Sequence, residues 1–258
     1  MRKKLLALFL GGILTMTLLN GCGESNKNSE EEILSNFTDF IDMFPSEDLT
    51  YLYDKKGSGS LEPNDLGTWV VSSYLYYYEG DIRKSVGCNL FFNRNLREAR
   101  GRFYIGSRQP ENENEEEEAY TIYYDKAGIH LLEDVTDEEV LNKFNNFKMM
   151  FEYISLDKEY ISNLELDHKY YNAEVPIYGL TYKLSLEDKN VNKIKEIYPE
   201  FQVKEEQIKL EFEGSCDPNS NIGYQTIVIQ LDKDNKVYLK TNFSFNNSDF
   251  SADLFKKE

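Results

Sequence analysis

Residues 68–78 read TWVVSSYLYYY, and this stretch decides the fold class of the chain. Its aromatic and β-branched residues are the types that fit the pleated, half-buried surface of a sheet. Because successive side chains of a strand point to opposite faces, Tyr74, Tyr76 and Tyr78 share one face of the predicted strand. That face could bind a sugar or a peptide, but a helix packed over it is the simpler interpretation.

Further strands are predicted on the C-terminal side of this stretch, separated by turn residues. In the first half they are 88–93, 100–105, 120–125 and 128–132. In the second half they are 177–186, 207–212, 224–231 and 237–245, with a helix at 188–198 and a hairpin turn at 232–235. We therefore expect an α+β fold with antiparallel sheets: a meander in the first half, strands mixed with helices in the second, and a few packed helices.

Two more helices are predicted from capping residues and apolar spacing. Ser29 and Glu32 form a capping box, and the helix that follows presents Ile33, Phe37, Phe40 and Phe44 before Pro45 stops it. Thr136 and Glu139 are expected to cap the second helix, whose apolar face is Val140, Leu141, Phe144, Phe147 and Phe151. Both apolar faces are expected to pack on the sheet.

The first residues have the organisation of a bacterial lipoprotein signal. Three cations at positions 2–4 precede an uncharged run, which ends at Leu19-Asn20-Gly21-Cys22 and is too short to span a bilayer comfortably. A small residue directly before a cysteine predicts that residues 1–21 are removed and that Cys22 becomes the lipidated N-terminus. Two acyl chains on Cys22 would form a stable anchor.

The predicted organisation of the mature chain follows from this cleavage. Residues 22–30 are expected to form the lipidated end and a flexible tether, because they are polar and lack apolar periodicity. Residues 31–258 form the α+β lipoprotein domain, and a division into two subdomains, 31–135 and 136–258, stays open. The predicted location is the cell membrane, anchored by lipid at its extracellular face.

Charge excludes one class of partner. The chain has a formal net charge of −17, and removal of residues 1–21, which carry three cations and no acid, leaves −20. Nucleic acid is excluded as a partner because its binding rests on Lys and Arg neutralising phosphate. The membrane is therefore contacted through the lipid on Cys22. A hydrophobic content of 40% is sufficient for a packed core.

Few residues offer catalytic chemistry. His130, in a predicted strand, and His168, in a predicted polar loop, are the only two imidazoles, and neither lies in a recognised nucleophile motif. Residues 54–65 imitate a calcium loop, but Lys56 places a cation where the loop needs an oxygen ligand. The acidic run 111–118 is interpreted as a solvated hairpin loop. The sequence therefore predicts no enzymatic activity, no cofactor and no metal.

Cys88 and Cys216 are the two cysteines besides Cys22. Outside the membrane they could form a disulfide. Two cysteines do not by themselves indicate a bridge, and we favour two unpaired thiols that act as small buried hydrophobic residues.

Seven different short motifs occur along the mature chain in a recognisable order. They are Leu52-Tyr53-Asp54-Lys55, Gly67-Thr68-Trp69, Asn93-Arg94-Asn95, Ala99-Arg100-Gly101, Asn146-Phe147-Lys148, Val175-Pro176-Ile177-Tyr178 and Ile222-Gly223-Tyr224. Together they resemble the staphylococcal tandem lipoproteins, also called the conserved staphylococcal antigen family. Within these motifs we expect Trp69 and Tyr178 in the core. Gly57 and Gly101 are expected at turns that need positive φ.

The resemblance implies a lipid-anchored surface antigen without enzymatic activity. It links the chain to innate immune stimulation through the lipid and to host-cell interaction and invasion, with a host-cell protein as the candidate partner. The alternative is an extracytoplasmic binding module for a small molecule or a cell-wall component, which the tyrosine-rich strands favour. Neither the identity of a partner nor the oligomeric state follows from the sequence.

Overall fold

The computed structural model describes residues 29–57, 66–109, 116–172, 174, 177–201, 203, 208–215, 224–232, 236–246 and 252–255. The signal peptide, Cys22, all but the end of the tether, most of the acidic run, most of the turn at 232–235 and Cys216 lie outside these residues.

The described elements are ten strands, six helices and two 3-10 turns. The strands are β1 Thr68–Glu79, β2 Ile82–Asn93, β3 Glu98–Arg108, β4 Glu116–Asp125, β5 Gly128–Leu131, β6 Glu165–Asn172, β7 Ile177–Leu184, β8 Ile208–Ser215, β9 Tyr224–Gln230 and β10 Tyr238–Asn246. The helices are α1 Glu30–Ser35, α2 Thr38–Ile41, α3 Glu138–Asn146, α4 Met150–Tyr153, α5 Lys158–Ser162 and α6 Lys189–Ile197. The 3-10 turns are Thr50–Tyr53 and Ala252–Phe255.

All ten described strands form one antiparallel sheet in the order β5-β4-β3-β2-β1-β10-β9-β8-β7-β6. The predicted α+β class with antiparallel pairing is confirmed. Each half of the chain contributes a five-stranded meander, and β1 joins β10 at the centre, from Thr68 opposite Asn246 to Tyr76 opposite Tyr238. The two halves therefore share a sheet, and the boundary considered at 135/136 falls in the connection between β5 and α3.

One face of the sheet forms the core. Trp69 of β1 and Phe243 of β10 are buried there, and their rings stack with centroids 4.5 Å apart. Tyr178 of β7 is also buried on this face, which confirms both core predictions made for the family motifs. Each such aromatic side chain contributes roughly 1.5–3 kcal/mol by leaving water.

The N-terminal helical segment packs on the core side of the second meander. Phe37 lies 5.1 Å from Tyr178 and 5.3 Å from Phe212, measured between ring centroids, and Phe40 stacks on Phe243 at 5.3 Å. The predicted capping box is confirmed, with a mutual pair of hydrogen bonds between Ser29 and Glu32. The predicted single helix is wrong, because the chain turns between α1 and α2. This turn aims Phe37 and Phe40 at different strands.

The helix after β5 begins and ends differently from the prediction. Asp137, not Thr136, is the N-cap, because its carboxylate accepts hydrogen bonds from two backbone N–H groups, those of Glu139 and Val140. Phe147 adopts extended backbone angles and ends α3, so Phe151 belongs to the separate helix α4.

His168 lies in a strand, not in the predicted polar loop. It is part of β6, an edge strand that pairs on one side only, with β7. The sequence of β6, ELDHKYYN, is charged and lacks an apolar face, which is how natural edge strands avoid unwanted pairing. That composition hides the strand from a search for apolar alternation.

The two glycines expected at turns serve another purpose. The described residues with positive φ are Arg97, Gly67, Gly80 and Gly128. Gly101 lies inside β3, where a Cβ would approach the Asn89 carbonyl oxygen to 1.8 Å, and a Cβ on Gly57 would approach the Phe245 ring to 2.0 Å. Both positions need a glycine because another group comes close to the backbone.

The tyrosine face of β1 is the face opposite the core. Leu75, between Tyr74 and Tyr76, points into the core with Trp69. The interpretation that a helix covers the tyrosine face is therefore wrong for the six described α-helices, because these pack on the Leu75 side. The 3-10 turn Ala252–Phe255 lies on the other side, against Arg100 of β3. We call the opposite side, which carries Tyr74, Tyr76 and Tyr78, the outer face.

Candidate functional site

The cysteines selected from the sequence do not form a described site. Cys88 lies in the middle of β2, fully buried, with a free thiol. Burial raises the pKa of this thiol well above its usual range, which opposes thiolate chemistry. Strand β8 ends one residue before Cys216, and β9, β10 and β1 separate β8 from β2. Cys22 and Cys216 lie outside the described residues, so lipidation and pairing stay predictions.

The two histidines lie on opposite edge strands of the sheet. His130 of β5 lies 2.9 Å from the Asp125 carboxylate, measured from Nε2 to Oδ1, and its ring stacks on Tyr123. His168 of β6 stacks on Tyr170, with centroids 6.2 Å apart. Because the full width of the sheet separates them, they cannot act on one substrate together.

Asp54, the first residue of the stretch that imitates a calcium loop, forms an ion pair with Arg97. The two carboxylate oxygens of Asp54 lie 2.6 and 3.1 Å from the Arg97 guanidinium, and this ion pair lowers the pKa of Asp54. Residues 58–65 of the loop lie outside the described residues. Within the described ranges, no group of three or more His, Cys, Asp or Glu side chains could hold a metal ion.

Tyrosines form a ladder across the centre of the outer face. Tyr238, Tyr76, Tyr74 and Tyr104 follow one another, with ring centroids 4.6, 5.8 and 6.3 Å apart. The Arg83 guanidinium lies 5.7 Å from the Tyr76 ring. Burial is the largest cause that raises the pKa of Tyr74, so this hydroxyl stays neutral at physiological pH. The ladder presents aromatic surface and hydroxyl groups, not an acid or a base.

A second cluster lies on the outer face of β6 to β9. The hydroxyls of Tyr170 and Tyr224 donate hydrogen bonds to the two oxygens of Glu213, at 2.9 and 3.1 Å. Glu211, two residues earlier on β8, is half-buried, and its desolvation is the main cause that raises its pKa. Two carboxylates with different environments can serve as acid and base where they line a cleft that holds a substrate. Glu211 and Glu213 lie on an open sheet face, so their arrangement does not by itself indicate this chemistry.

Two clefts open on the described surface. The first, of about 450 Å³, is lined by Asp48, Thr50, Tyr51, Tyr53, Asp54, Arg97 and Lys126. The second, of about 430 Å³, lies between α3 and α6 on the core side of the sheet. Its floor is Leu75, Tyr77 and Val86. Both volumes lie in the range of small-molecule sites.

These clusters bring together residues that are distant in the sequence, and the sequence analysis missed most of them. Glu213 and Tyr170 are 43 positions apart, and only the pairing of β6, β7 and β8 places them side by side. The stripe of Tyr74 and Tyr76 was visible as alternation within one strand. That Tyr104 and Tyr238 continue this stripe on the neighbouring strands could be predicted only from the strand order.

Comparisons with known proteins give one consistent answer. Three relatives are uncharacterized lipoproteins of Staphylococcus aureus. One from strain N315 is 29% identical, covering 96% of this chain and 98% of the relative; a second from that strain is 35% identical, covering 81% and 86%. One from strain MRSA252 is 30% identical, covering 88% and 89%.

Solved structures add no assignment. An N-terminal dehydratase from the difficidin assembly line covers 73% of this chain and 80% of its own, at 7% identity and a TM-score of 0.19. A similarity at that level assigns neither a fold nor a function.

None of the described helices combines the length and the apolarity needed to cross a bilayer.

Membership of the chain in a protein family rests on the comparison with family models. The Csa1 family model matches residues 29–248, which include all ten described strands. The chain therefore belongs to the Csa1 family, as the resemblance to staphylococcal lipoproteins predicted.

Proposed function

We propose that the mature protein is anchored by lipid on Cys22 at the extracellular face of the cell membrane and acts by binding a host-cell protein, not by catalysis. The similarity to staphylococcal lipoproteins and the Gly21-Cys22 signal pattern support the anchor. Stimulation of innate immunity through the lipid is part of the same proposal and rests on the family resemblance.

The outer face is the observation that carries the binding role. It extends over ten strands, and its residues include the tyrosine ladder, exposed Arg102 and half-exposed Lys240. Aromatic and arginine side chains are enriched where proteins bind proteins, because they bury a large area with few rotatable bonds or make planar hydrogen bonds. A broad face of this kind suits a macromolecular partner better than a small substrate.

The direct test measures binding of the soluble domain, residues 23–258, to intact host cells. We expect saturable binding that exceeds that of an unrelated acidic lipoprotein domain. Arg102→Ser with Lys240→Ser should weaken it at least five-fold, since losing two interface cations costs roughly 1–3 kcal/mol. Lys158→Ser with Lys193→Ser changes the net charge equally on the helix side and should leave binding unchanged. Binding no stronger than that of the unrelated domain would reject the host-cell role, and equal binding by both variants would reject the outer face.

The alternative, a binding module for a small molecule or a cell-wall component, is supported by the two clefts and by the tyrosine ladder. Sedimentation of the domain with purified staphylococcal cell walls tests it. Retention on cell walls together with no binding to host cells would favour this alternative over the host-cell role.

A further inference from the structure

The cleft between α3 and α6 has an apolar floor and a polar rim. Leu75 and Val86 are buried at its base, and Phe147 and Tyr198 are buried in its walls. Tyr77 is half-buried on the floor, with its ring centroid 5.3 Å from that of Phe201. Such a floor gains free energy when it covers the hydrocarbon part of a ligand.

The electrostatic character of the cleft is negative. Helices α3 and α6 both end at it, since Asn146 and Ile197 are their last residues and both line the cleft. A helix C-terminus carries a partial negative charge from its unpaired carbonyl groups. Lining residue Glu200 adds a full negative charge.

Two lysines near the cleft are paired with carboxylates. Lys143 lines the cleft, and its Nζ lies 2.6 Å from the Glu139 carboxylate. Lys193 lies 2.9 Å from lining residue Glu196. Burial raises the pKa of Tyr77, and the negative charges of Glu79, Glu200 and Glu139 raise it further.

The rim offers hydrogen bonds of a specific kind. Asn146 Nδ2 donates to Asn142 Oδ1 at 2.9 Å, one turn apart on α3. Neither Asn142 Nδ2 nor Asn146 Oδ1 takes part in this bond, so the pair offers an amide donor beside an amide acceptor. That arrangement matches the C=O and N–H of a peptide group.

We propose that this cleft binds a basic side chain, arginine or lysine, of a partner polypeptide. The aliphatic stem lies on the apolar floor, and the charged head faces Glu200 and the two helix C-termini. The asparagine pair on the rim holds the backbone of the bound segment. The site lies on the side of the sheet opposite the outer face, so it does not depend on the function proposed above.

Titration of the soluble domain, residues 23–258, with blocked pentapeptides tests the site by calorimetry or NMR. The probes are acetyl-Gly-Gly-X-Gly-Gly-amide with X as arginine, lysine, citrulline or glutamate. We expect the arginine and lysine peptides to bind. The citrulline peptide, which keeps the shape of arginine without its charge, should bind roughly ten-fold more weakly or worse.

Two charge-matched variants localise the binding. Glu200→Gln should weaken binding of the arginine peptide several-fold, whereas Glu187→Gln, beside the other end of α6, should leave it unchanged. Thermal unfolding of both variants checks that the fold is retained. No binding of the arginine peptide, equal binding of the citrulline peptide, or equal effects of the two variants would each overturn the proposal.

Discussion

Tyr74 of β1 lies directly opposite Gly87 of β2, and its ring occupies the space that a side chain at position 87 would fill. A Cβ on Gly87 would come within 2.2 Å of Tyr74 Cδ1 and within 2.5 Å of the Ser73 carbonyl oxygen. Gly179 and Tyr170 are also cross-strand neighbours, and a Cβ there would come within 2.4 Å of the Tyr170 ring. At both places a tyrosine lies down over a glycine of the adjacent strand and covers the sheet backbone.

This contact predicts a specific cost for a small substitution. Gly87→Ala should lower the free energy of unfolding by about 1–3 kcal/mol, as overpacking does in a closely packed site. Gly87→Ala combined with Tyr74→Ala should lose less than the sum of the two single variants, because the ring clash is relieved. Denaturant unfolding measures all three, and strict additivity would contradict the contact.

The buried Arg94 should not tolerate lysine. Its Nε donates to the Tyr53 carbonyl at 3.3 Å, and its Nη1 donates to the Leu66 carbonyl, so one side chain ties the 3-10 turn to the start of β1. Lysine cannot reach both carbonyls with a planar fork. Arg94→Lys should cost about 1–3 kcal/mol, the cost of leaving a buried acceptor unpaired. Arg102→Lys, at an exposed position, is the control and should change stability by under about 0.5 kcal/mol in denaturant unfolding.

The two thiols should be free, and Cys88 should be protected in the folded protein. In the soluble domain without Cys22, Cys88 should resist alkylation until the protein unfolds, because it is fully buried and its pKa is raised. Under denaturing conditions without reductant, mass measurement should show two alkylated cysteines. Two unalkylated cysteines after unfolding would establish a bridge between Cys88 and Cys216.

Glu152 should make stability depend on pH. Burial is the main cause that raises the pKa of Glu152, and Lys148 partly offsets it. Because the folded pKa exceeds the unfolded one, the charged form destabilises the fold, and this cost is present above the folded pKa and absent below the unfolded pKa of about 4.3. Glu152→Gln should therefore raise the unfolding free energy at pH 7, and the gain should vanish near pH 4.

The matched control is Glu159→Gln, which removes the same charge from an exposed position on α5. Chemical unfolding at several pH values measures both variants. A gain from Glu152→Gln that persists unchanged at pH 4, or that equals the gain from Glu159→Gln, would show that burial of the carboxylate is not its origin.

Membrane anchoring should depend on a single residue. Cys22→Ala should leave a precursor that keeps residues 1–21 and incorporates no radiolabelled palmitate, because the thiol that accepts the lipid is gone. Immunoblotting and metabolic labelling measure cleavage and lipidation. Wild-type labelling of this variant would contradict the anchor, and Cys88→Ala is the control that should label normally.

Prediction from the sequence succeeded where local pattern and burial agree. The alternation in β1 and the turn residues between strands identified most of the sheet, since each signal lies within a few residues of the element it specifies. It missed strand β6, because this charged edge strand shows no apolar alternation. It also placed the N-cap of α3 at Thr136, because the neighbouring Asp137 is an equally suitable capping residue. Competing local signals of similar strength are resolved only by packing.

The sequence by itself determined the antiparallel α+β class, the apolar positions of the core and the resemblance to staphylococcal lipoproteins, because these depend on residue type and short spacing. Only the tertiary structure decided that β1 and β10 join two meanders into one sheet, that the tyrosines lie on the face opposite the six described α-helices, and that α3 and α6 end at a common cleft. The physical reason is that register and strand order are set by contacts between residues far apart in the chain, where many pairings satisfy the same alternation. The burial of Trp69 against Phe243, 174 positions later, selects one of them.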